Sequence, residues 1–177
     1  GVALIPEDRM LYGIAGSASI EENLISDRSA EKRLNHGPLF NMKAIHDEAD
    51  KLIEDYAVLC KSRKQQVGML SGGNIQKVVV AREFSFDSPV LIIAQPTRGV
   101  DVGAIEFIHT RIIEKRNAGC AILLCSADLD EVFRLSDRII TMYEGRITGE
   151  FRTSDITKEE IGWYMTGHRE GKEAAKA

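Results

Sequence analysis

The sequence predicts an α/β fold built on a mostly parallel sheet. Two short segments, SPVLIIAQP and CAILLCS, are almost wholly apolar, which is typical of strands buried in a parallel sheet. Segments with helical spacing alternate with these strands, so we expect helices on both faces of the sheet. Near its end the chain changes pattern: two strands flank the turn Glu144-Gly145, which predicts an antiparallel hairpin.

Length and composition suit a single globular domain. The 177 residues are 44% hydrophobic and 28% charged, and the net charge of −4 argues against a nucleic-acid partner. No apolar run approaches the ~20 residues of a membrane span. No secretory signal is recognisable, although the sequence leaves open whether a segment preceded Gly1. The cysteines Cys60, Cys120 and Cys125 lack metal-ligand spacing, which predicts buried free thiols in a reducing cytosol.

The first half of the chain reads as one strand followed by a long helical stretch. Its predicted elements are a strand at GVALI, a loop over Leu11–Ile20, a helix from Ser19 with Glu22 completing a capping box, a polar irregular stretch over Asp27–Asn41, an amphipathic helix over Met42–Cys60 and a helix over NIQKVVVAREF.

The second half alternates strands and helices. Its predicted elements are the strand SPVLIIAQP, a helix over Ala104–Ala118 stopped by Gly119, the strand CAILLCS, a short helix LDEVFRLS, the hairpin RIITMYEGRITGEF and a helix over TKEEIGWYM with a Thr157/Glu160 capping box.

The stretch between the first two strands is too long for a simple crossover, so it predicts an inserted helical subdomain. We place this subdomain at about 15–88, the second half of a catalytic core at about 89–166, and a frayed tail at 167–177.

The segment Ser71-Gly72-Gly73 has the chemistry of an anion site. Two glycines allow close approach of a ligand to the backbone, and the helix that follows points its free N–H groups and positive dipole end at it. Ser71 adds a hydroxyl donor. The plain alternative is a helix-entry turn that binds nothing.

Read with its surroundings, this segment resembles a known family. LSGGNIQKVVVARE, PTRGVDVGA and SDRIITMYEGRITGEF occur in the order and at the distances found in ATP-binding-cassette (ABC) ATPases. They resemble most the second cassette of the two-cassette ATPase subunits of bacterial simple-sugar and nucleoside importers. The resemblance covers about Val2 to Phe151 and implies part of a P-loop NTPase core.

The resemblance implies a role in trans for the glycine-containing loop. In this family two cassettes meet head to tail, and the signature loop of one closes on ATP held by the other. Leu70, Ser71, Gly72 and Gly73, with Gln76 nearby, would therefore contact ATP in a partner cassette. Asp101 falls in the D-loop, which crosses the interface; a plain surface acid is the alternative.

The chain's own catalytic half departs from the family pattern. No GxxxxGK[ST] phosphate loop occurs in it. Ala94 and Gln95 stand where the family has the Mg²⁺-ordering Asp and the catalytic Glu, and Ala127 stands where it has the switch histidine. Alanine offers no ligand oxygen and glutamine accepts no proton, so we expect no catalytic residue and no autonomous ATP or Mg²⁺ site.

Other polar residues receive ordinary roles. Glu7 stands about where the family usually has its Q-loop glutamine, although an acid there also resembles second cassettes of sugar importers. Asp128, Asp130 and Glu131 open a short helix, where acids suit the dipole. Surface or packing roles are expected for the histidines His36, His46, His109 and His168.

The resulting hypothesis is a degenerate second cassette, inactive alone, on the inner face of the cell membrane. Its partners would be the first cassette, which holds ATP and Mg²⁺, and transmembrane permease subunits contacted through the helical subdomain. A non-catalytic interaction module and an ATPase active when joined to a missing N-terminal part are the alternatives.

The family's phosphate-loop strand lies between the strands CAILLC and RIITMY. Without it two strand edges are unpaired, so we expect a rearranged sheet, or a homo-oligomer or strand-swapped dimer that fills the place.

Overall fold

The computed structural model describes residues 1–167. These residues form two compact units, one over Gly1–Cys125 and one from Ser126 onward. His168 and all of the predicted frayed tail except Gly167 lie outside the described residues. Within the described part, no helix is both long enough and apolar enough to cross a membrane.

The first unit contains a three-stranded parallel sheet, as predicted. Its strands are β1 (Val2–Ile5), β4 (Val90–Ala94) and β5 (Ala121–Cys125), in the order β1-β4-β5. Register aligns Leu4 with Ile92 and Ile92 with Leu123. The two short strands β2 (Asn35–His36) and β3 (Leu39–Phe40) form a separate antiparallel pair in the polar stretch.

One face of this sheet is open, so the expectation of cover on both faces is wrong for the described residues. Alternate residues such as Ile5, Leu91 and Ile93 are buried, whereas Val2 is 64% and Leu123 54% exposed. Side chains alternate between the faces of a strand. Burial therefore follows one face alone, and composition cannot tell one covered face from two.

Three helices build a second core in the first unit: α1 (Ile20–Ile25), α2 (Met42–Asp55) and α3 (Gly72–Phe84). The predicted capping box holds, because Ser19 accepts from the N–H of Glu22 and the Glu22 carboxylate accepts from the N–H of Ser19. The side chains buried between the helices are Ile20, Leu24, Ala49, Leu52, Val58, Val67, Val78 and Ala81.

Two predicted boundaries in this region are wrong. Helix α2 ends at Asp55 rather than Cys60, because Ala57 adopts a left-handed φ of 48° and the N–H of Val58 bonds back to the carbonyl of Ile53 at 2.9 Å. The first residues of the predicted loop Leu11–Ile20 instead belong to a π-helical turn, Arg9–Gly13. Asp8 caps this turn by accepting from the N–H groups of Met10 and Leu11.

Helix α4 (Val102–Asn117) connects β4 to β5. It begins two residues before the predicted start because Asp101 caps it, with Oδ1 accepting from the N–H of Ala104 at 2.9 Å. It stops at Gly119 as predicted, where φ is 93°.

The second unit contains α5 (Leu129–Leu135), β6 (Arg138–Tyr143), β7 (Arg146–Arg152) and α6 (Lys158–Met165). The hairpin is confirmed: Glu144 and Gly145 both have positive φ, 47° and 74°, the conformation that such two-residue turns require. The Thr157/Glu160 capping box is confirmed as well. Ile139, Ile156 and Ile161 form the buried centre of this unit.

The predicted rearrangement of the sheet does not occur within residues 1–167, where β6 pairs with β7 and β5 pairs only with β4. The cysteines are free thiols, as predicted, but they are not buried: Cys60 and Cys120 are half-buried and Cys125 is exposed. Burial raises the pKa of the Cys60 thiol, and the nearby Asp50 carboxylate adds to the effect.

Candidate functional site

Ser71 is the N-cap of helix α3. Its side chain accepts from the N–H of Asn74 at 3.4 Å and from the Asn74 amide group at 2.9 Å. Because both bonds use the oxygen as acceptor, the hydroxyl proton stays available as a donor. The first helical bond joins the N–H of Ile75 to the carbonyl of Ser71 at 2.9 Å. The N–H groups of Gly72 and Gly73 therefore have no acceptor inside the helix.

Both glycines lie in close contact with neighbouring loops. A Cβ on Gly72 would lie 2.9 Å from Nη2 of Arg9 and 3.1 Å from the carbonyl oxygen of Gly99. A Cβ on Gly73 would lie 2.5 Å from Oδ2 of Asp101. The start of α3 is thus packed against two other loops, one after β1 and one after β4.

The loop after β4 contributes Arg98, Gly99 and Asp101. Gly99 has a left-handed φ of 66°, which favours glycine. Asp101 has two functions in one carboxylate, since Oδ1 caps α4 while Oδ2 lies beside Gly73. Arg98 forms an exposed ion pair with Glu7.

The loop after β1 contributes Glu7, Asp8 and Arg9. Arg9 donates from Nη1 to the carbonyl of Arg98 at 2.6 Å and from Nη2 to the carbonyl of Gly99 at 3.2 Å. Sequence reasoning missed Arg9. The available signal was the charged run PEDR directly after a predicted strand, where loops that carry function often lie.

The structure brings together Leu70, Ser71, Gly72, Gly73, Asp101 and Glu7 from the predicted set through these contacts. Leu70 precedes the cap and is half-buried. Gln76 differs: it is only 2% exposed, within the buried part of α3, so its amide is not presented at the surface.

Ala94 and Gln95 lie at the end of β4. Ala94 closes the strand. Gln95 follows with a left-handed φ of 49°, and its N–H donates to the carbonyl of Cys125 at 2.8 Å. Ala127 lies in the second unit, between β5 and α5, where Asp128 caps α5 as predicted for an acid at a helix start.

A divalent cation does not fit the residues present at the end of β4. Ala94 has no side-chain oxygen, and Gln95 offers a neutral amide where Mg²⁺ prefers carboxylates. Throughout residues 1–167, no group of three or more His, Cys, Asp or Glu side chains is placed to hold a metal ion.

Comparison with known proteins supports the resemblance noted in the sequence. The chain is 42% identical over 169 residues to the glucose import ATP-binding protein TsgD13 of Haloferax volcanii, covering 94% of this chain and 31% of that protein. It is 40% identical over 177 residues to the guanosine import ATP-binding protein NupO of Bacillus subtilis, covering 100% of this chain and 34% of that protein. The chain thus spans about a third of the length of these relatives. No protein-family model matches it.

Solved structures agree on the fold. A putative metal-chelate type ABC transporter in an inward-facing conformation aligns with a TM-score of 0.72 at 14% identity, over 93% of this chain and 63% of that one. The dimeric ATP-binding cassette MJ0796 bound to ADP and Pi aligns with a TM-score of 0.66 at 18% identity, over 86% and 62%. The fold is therefore that of an ABC ATPase, with a parallel sheet and a C-terminal antiparallel hairpin.

Proposed function

We propose that this chain is part of the ATP-binding subunit of an ABC importer for sugars or nucleosides, and that it supplies its Leu70–Gly73 loop to ATP held by a partner cassette. The similarity to import ATP-binding proteins over 94% or more of the chain supports the first part. The geometry at the start of α3 supports the second.

The observation that carries the proposal is the donor set at Ser71. The hydroxyl proton of Ser71 and the N–H group of Gly72 lie at the positive end of a 13-residue helix, and Gly73 is buried beside Asp101. Such a set binds phosphate oxygens well, because each donor meets an acceptor and the helix dipole favours negative charge. Bound ATP would supply the phosphate that these donors orient.

The chain's own catalytic half is proposed to be inactive. Proton abstraction from water needs a base, which neither Ala94 nor Gln95 provides, and loss of a general base alone typically removes about 10²–10⁴ of rate. The sequence of 177 residues contains no phosphate-loop motif. Hydrolysis is therefore not proposed at this end of β4, and ATP and Mg²⁺ are proposed to be held by the partner cassette.

The membrane partner is proposed to contact the helical subdomain, at about 15–88, near a surface groove. The groove has a volume of about 350 Å³, and Tyr12, Ile14, Asn23 and Arg82 are among its lining residues. Tyr12 is exposed, as are Met10 and Leu11, which precede it in the sequence, and clustered large apolar side chains mark interaction surfaces. We propose that the subunit lies on the cytoplasmic side of the membrane.

The test is substitution of Ser71 in the complete ATP-binding subunit assembled with its permease in liposomes. Ser71→Arg fills the space before α3, and we expect ATPase activity and transport to fall to background. Ser71→Ala removes the hydroxyl and should lower both partially. Ser19→Ala is the matched control, since it removes a helix cap of the same kind from α1. Unchanged activity with Ser71→Arg would rule out the trans role.

The inactive half has its own test, on the 177-residue chain alone. Titration with Mg-ATP in a calorimeter should give no saturable heat, and no phosphate should be released. Tight binding with turnover would show an autonomous site and overturn this part of the proposal.

A further inference from the structure

The residue Arg9 lies in a backbone segment that is fixed on both sides. Asp8 caps the turn Arg9–Gly13 through two hydrogen bonds of 3.0 Å to Met10 and Leu11. At the other end of the turn, a Cβ on Gly13 would lie 3.3 Å from Cγ2 of Val79, in the middle of α3. The turn therefore packs on α3, and the direction of the Arg9 side chain follows from it.

The guanidinium of Arg9 joins three backbone segments. It donates to the carbonyl oxygens of Arg98 and Gly99 at 2.6 and 3.2 Å, which fixes the loop after β4. Its Nη2 also lies against the Cα of Gly72, where a side chain would come within 2.9 Å. The planar fork of an arginine suits this arrangement, because two parallel N–H groups reach two adjacent acceptors.

The contact between Arg9 and Gly72 differs from ordinary packing because Arg9 carries a positive charge. A cation beside the first turn of a helix opposes the helix dipole, so it does not stabilise α3. The same charge adds to the positive potential met by an anion at Ser71 and Gly72. Arg98, whose carbonyl accepts from Arg9, has its own guanidinium paired with Glu7, and that exposed pair contributes little.

We infer that Arg9 is a positioning residue, which holds the Ser71–Gly73 loop and the Asp101 loop as one rigid surface toward the phosphates of ATP on the partner cassette. The inference rests on the proposed function. Arg9 acts through Gly72 and through the carbonyls of Arg98 and Gly99, and no direct contact with nucleotide is required of it.

The experiment compares Arg9→Ala, Arg9→Lys and Arg111→Ala in the complete subunit assembled with its permease. Arg111 is the matched control. It also bridges two elements, donating from α4 to the carbonyl of Asp55 and lying over the Tyr56 ring, but it does so away from the loop. Two readouts are taken: amide hydrogen exchange of residues 70–74 and 98–101, and the separate kcat and KM of the ATPase.

With Arg9→Ala we expect faster exchange in both loops but not in Val78–Ala81, and a KM for ATP raised about tenfold, the factor that corresponds to one charged hydrogen bond. Arg9→Lys keeps the charge without the fork and should leave exchange fast and KM raised. Arg111→Ala should change neither.

Exchange in residues 70–74 that is unchanged by Arg9→Ala overturns the inference. So does an unchanged KM, or full recovery of both readouts with lysine, which would reduce the role of Arg9 to its charge. The proposed function fails separately, if Ser71→Arg leaves the ATPase intact.

Discussion

Gly73 and Asp101 approach so closely that a Cβ on Gly73 would stand 2.5 Å from Oδ2 of Asp101. Gly73 is buried in the first turn of α3, and Asp101 caps α4 through its other oxygen. The contact ties the starts of two helices together. Gly73 is thus needed for packing inside this chain, in addition to any role toward a ligand.

We predict that Gly73→Ala destabilises the chain by about 1–3 kcal/mol, the usual cost of overpacking a tight contact. The added methyl must displace the Asp101 carboxylate or the Cβ of Ala104, which would lie 3.2 Å away. Urea unfolding followed by circular dichroism measures the change, read as a shift of the midpoint at constant slope.

The control for this prediction is Asp101→Ser. Serine keeps a capping oxygen for α4 but lacks the second carboxylate oxygen, so alone it should cost about 0.5 kcal/mol or less. The double variant Gly73→Ala/Asp101→Ser should then recover part of the loss. Purely additive effects would show that the alanine is tolerated by movement elsewhere.

The residue Ala57 gives a second prediction, of opposite sign. Its φ of 48° is left-handed, which costs a non-glycine residue about 1–2 kcal/mol. Ala57→Gly should therefore stabilise the chain by about 0.5–1 kcal/mol, after allowing for the greater freedom of glycine in the unfolded chain. Ala44→Gly inside α2 is the control and should destabilise, since Ala44 lies in the right-handed first turn of that helix.

The sequence predicted most elements because their signals are local. Capping boxes at Ser19 and Thr157, the Glu144-Gly145 turn and the stop at Gly119 each depend on neighbouring residues, and the structure confirms them. The end of α2 was missed for the opposite reason. Alanine favours helices, so the sequence around Ala57 does not indicate a residue with left-handed φ.

The site was predictable in part for the same reason. Ser71-Gly72-Gly73 before a helix is a local pattern. Arg9 is more than sixty residues away from Gly72 in the sequence, and its contacts depend on how β1, β4 and α3 pack. The open face of the sheet was equally invisible, because an apolar strand has the same composition whether one or both faces are covered.

A third prediction concerns Glu48, which pairs with Arg28 at 2.8 Å and with Arg33 at 2.7 Å. The hydrogen bond from Arg33, helped by the charge of Arg28, holds the pKa of Glu48 below its usual value of 4.5. A folded-state pKa below the unfolded one stabilises the fold above the unfolded pKa, and this contribution is lost as pH falls through the folded pKa. Glu48→Gln should therefore weaken the chain at pH 7 and flatten its loss of stability below about pH 4.5.

At pH 7 we expect Glu48→Gln to cost about 2–3 kcal/mol, because it leaves the buried guanidinium of Arg28 without its charged partner. Glu31→Gln is the control. Glu31 pairs with the same Arg33 but both side chains are exposed, so its loss should cost under about 1 kcal/mol. Equal effects of the two substitutions would contradict the prediction.

The open face of the sheet gives the last prediction. Val2 and Leu4 on β1 and Leu123 on β5 lie on one face of the sheet and are at least half exposed, and within residues 1–167 the outer edge of β5 is unpaired. Such a surface favours self-association of the isolated chain. We expect Leu123→Thr to lower the associated fraction in light scattering at fixed concentration, with little change in urea midpoint, because threonine keeps a high strand propensity.

Leu91→Thr, on the buried face of β4, is the control and should instead destabilise the chain by about 2–4 kcal/mol. If Leu123→Thr destabilises as strongly as Leu91→Thr, the face is covered in solution and the prediction is wrong.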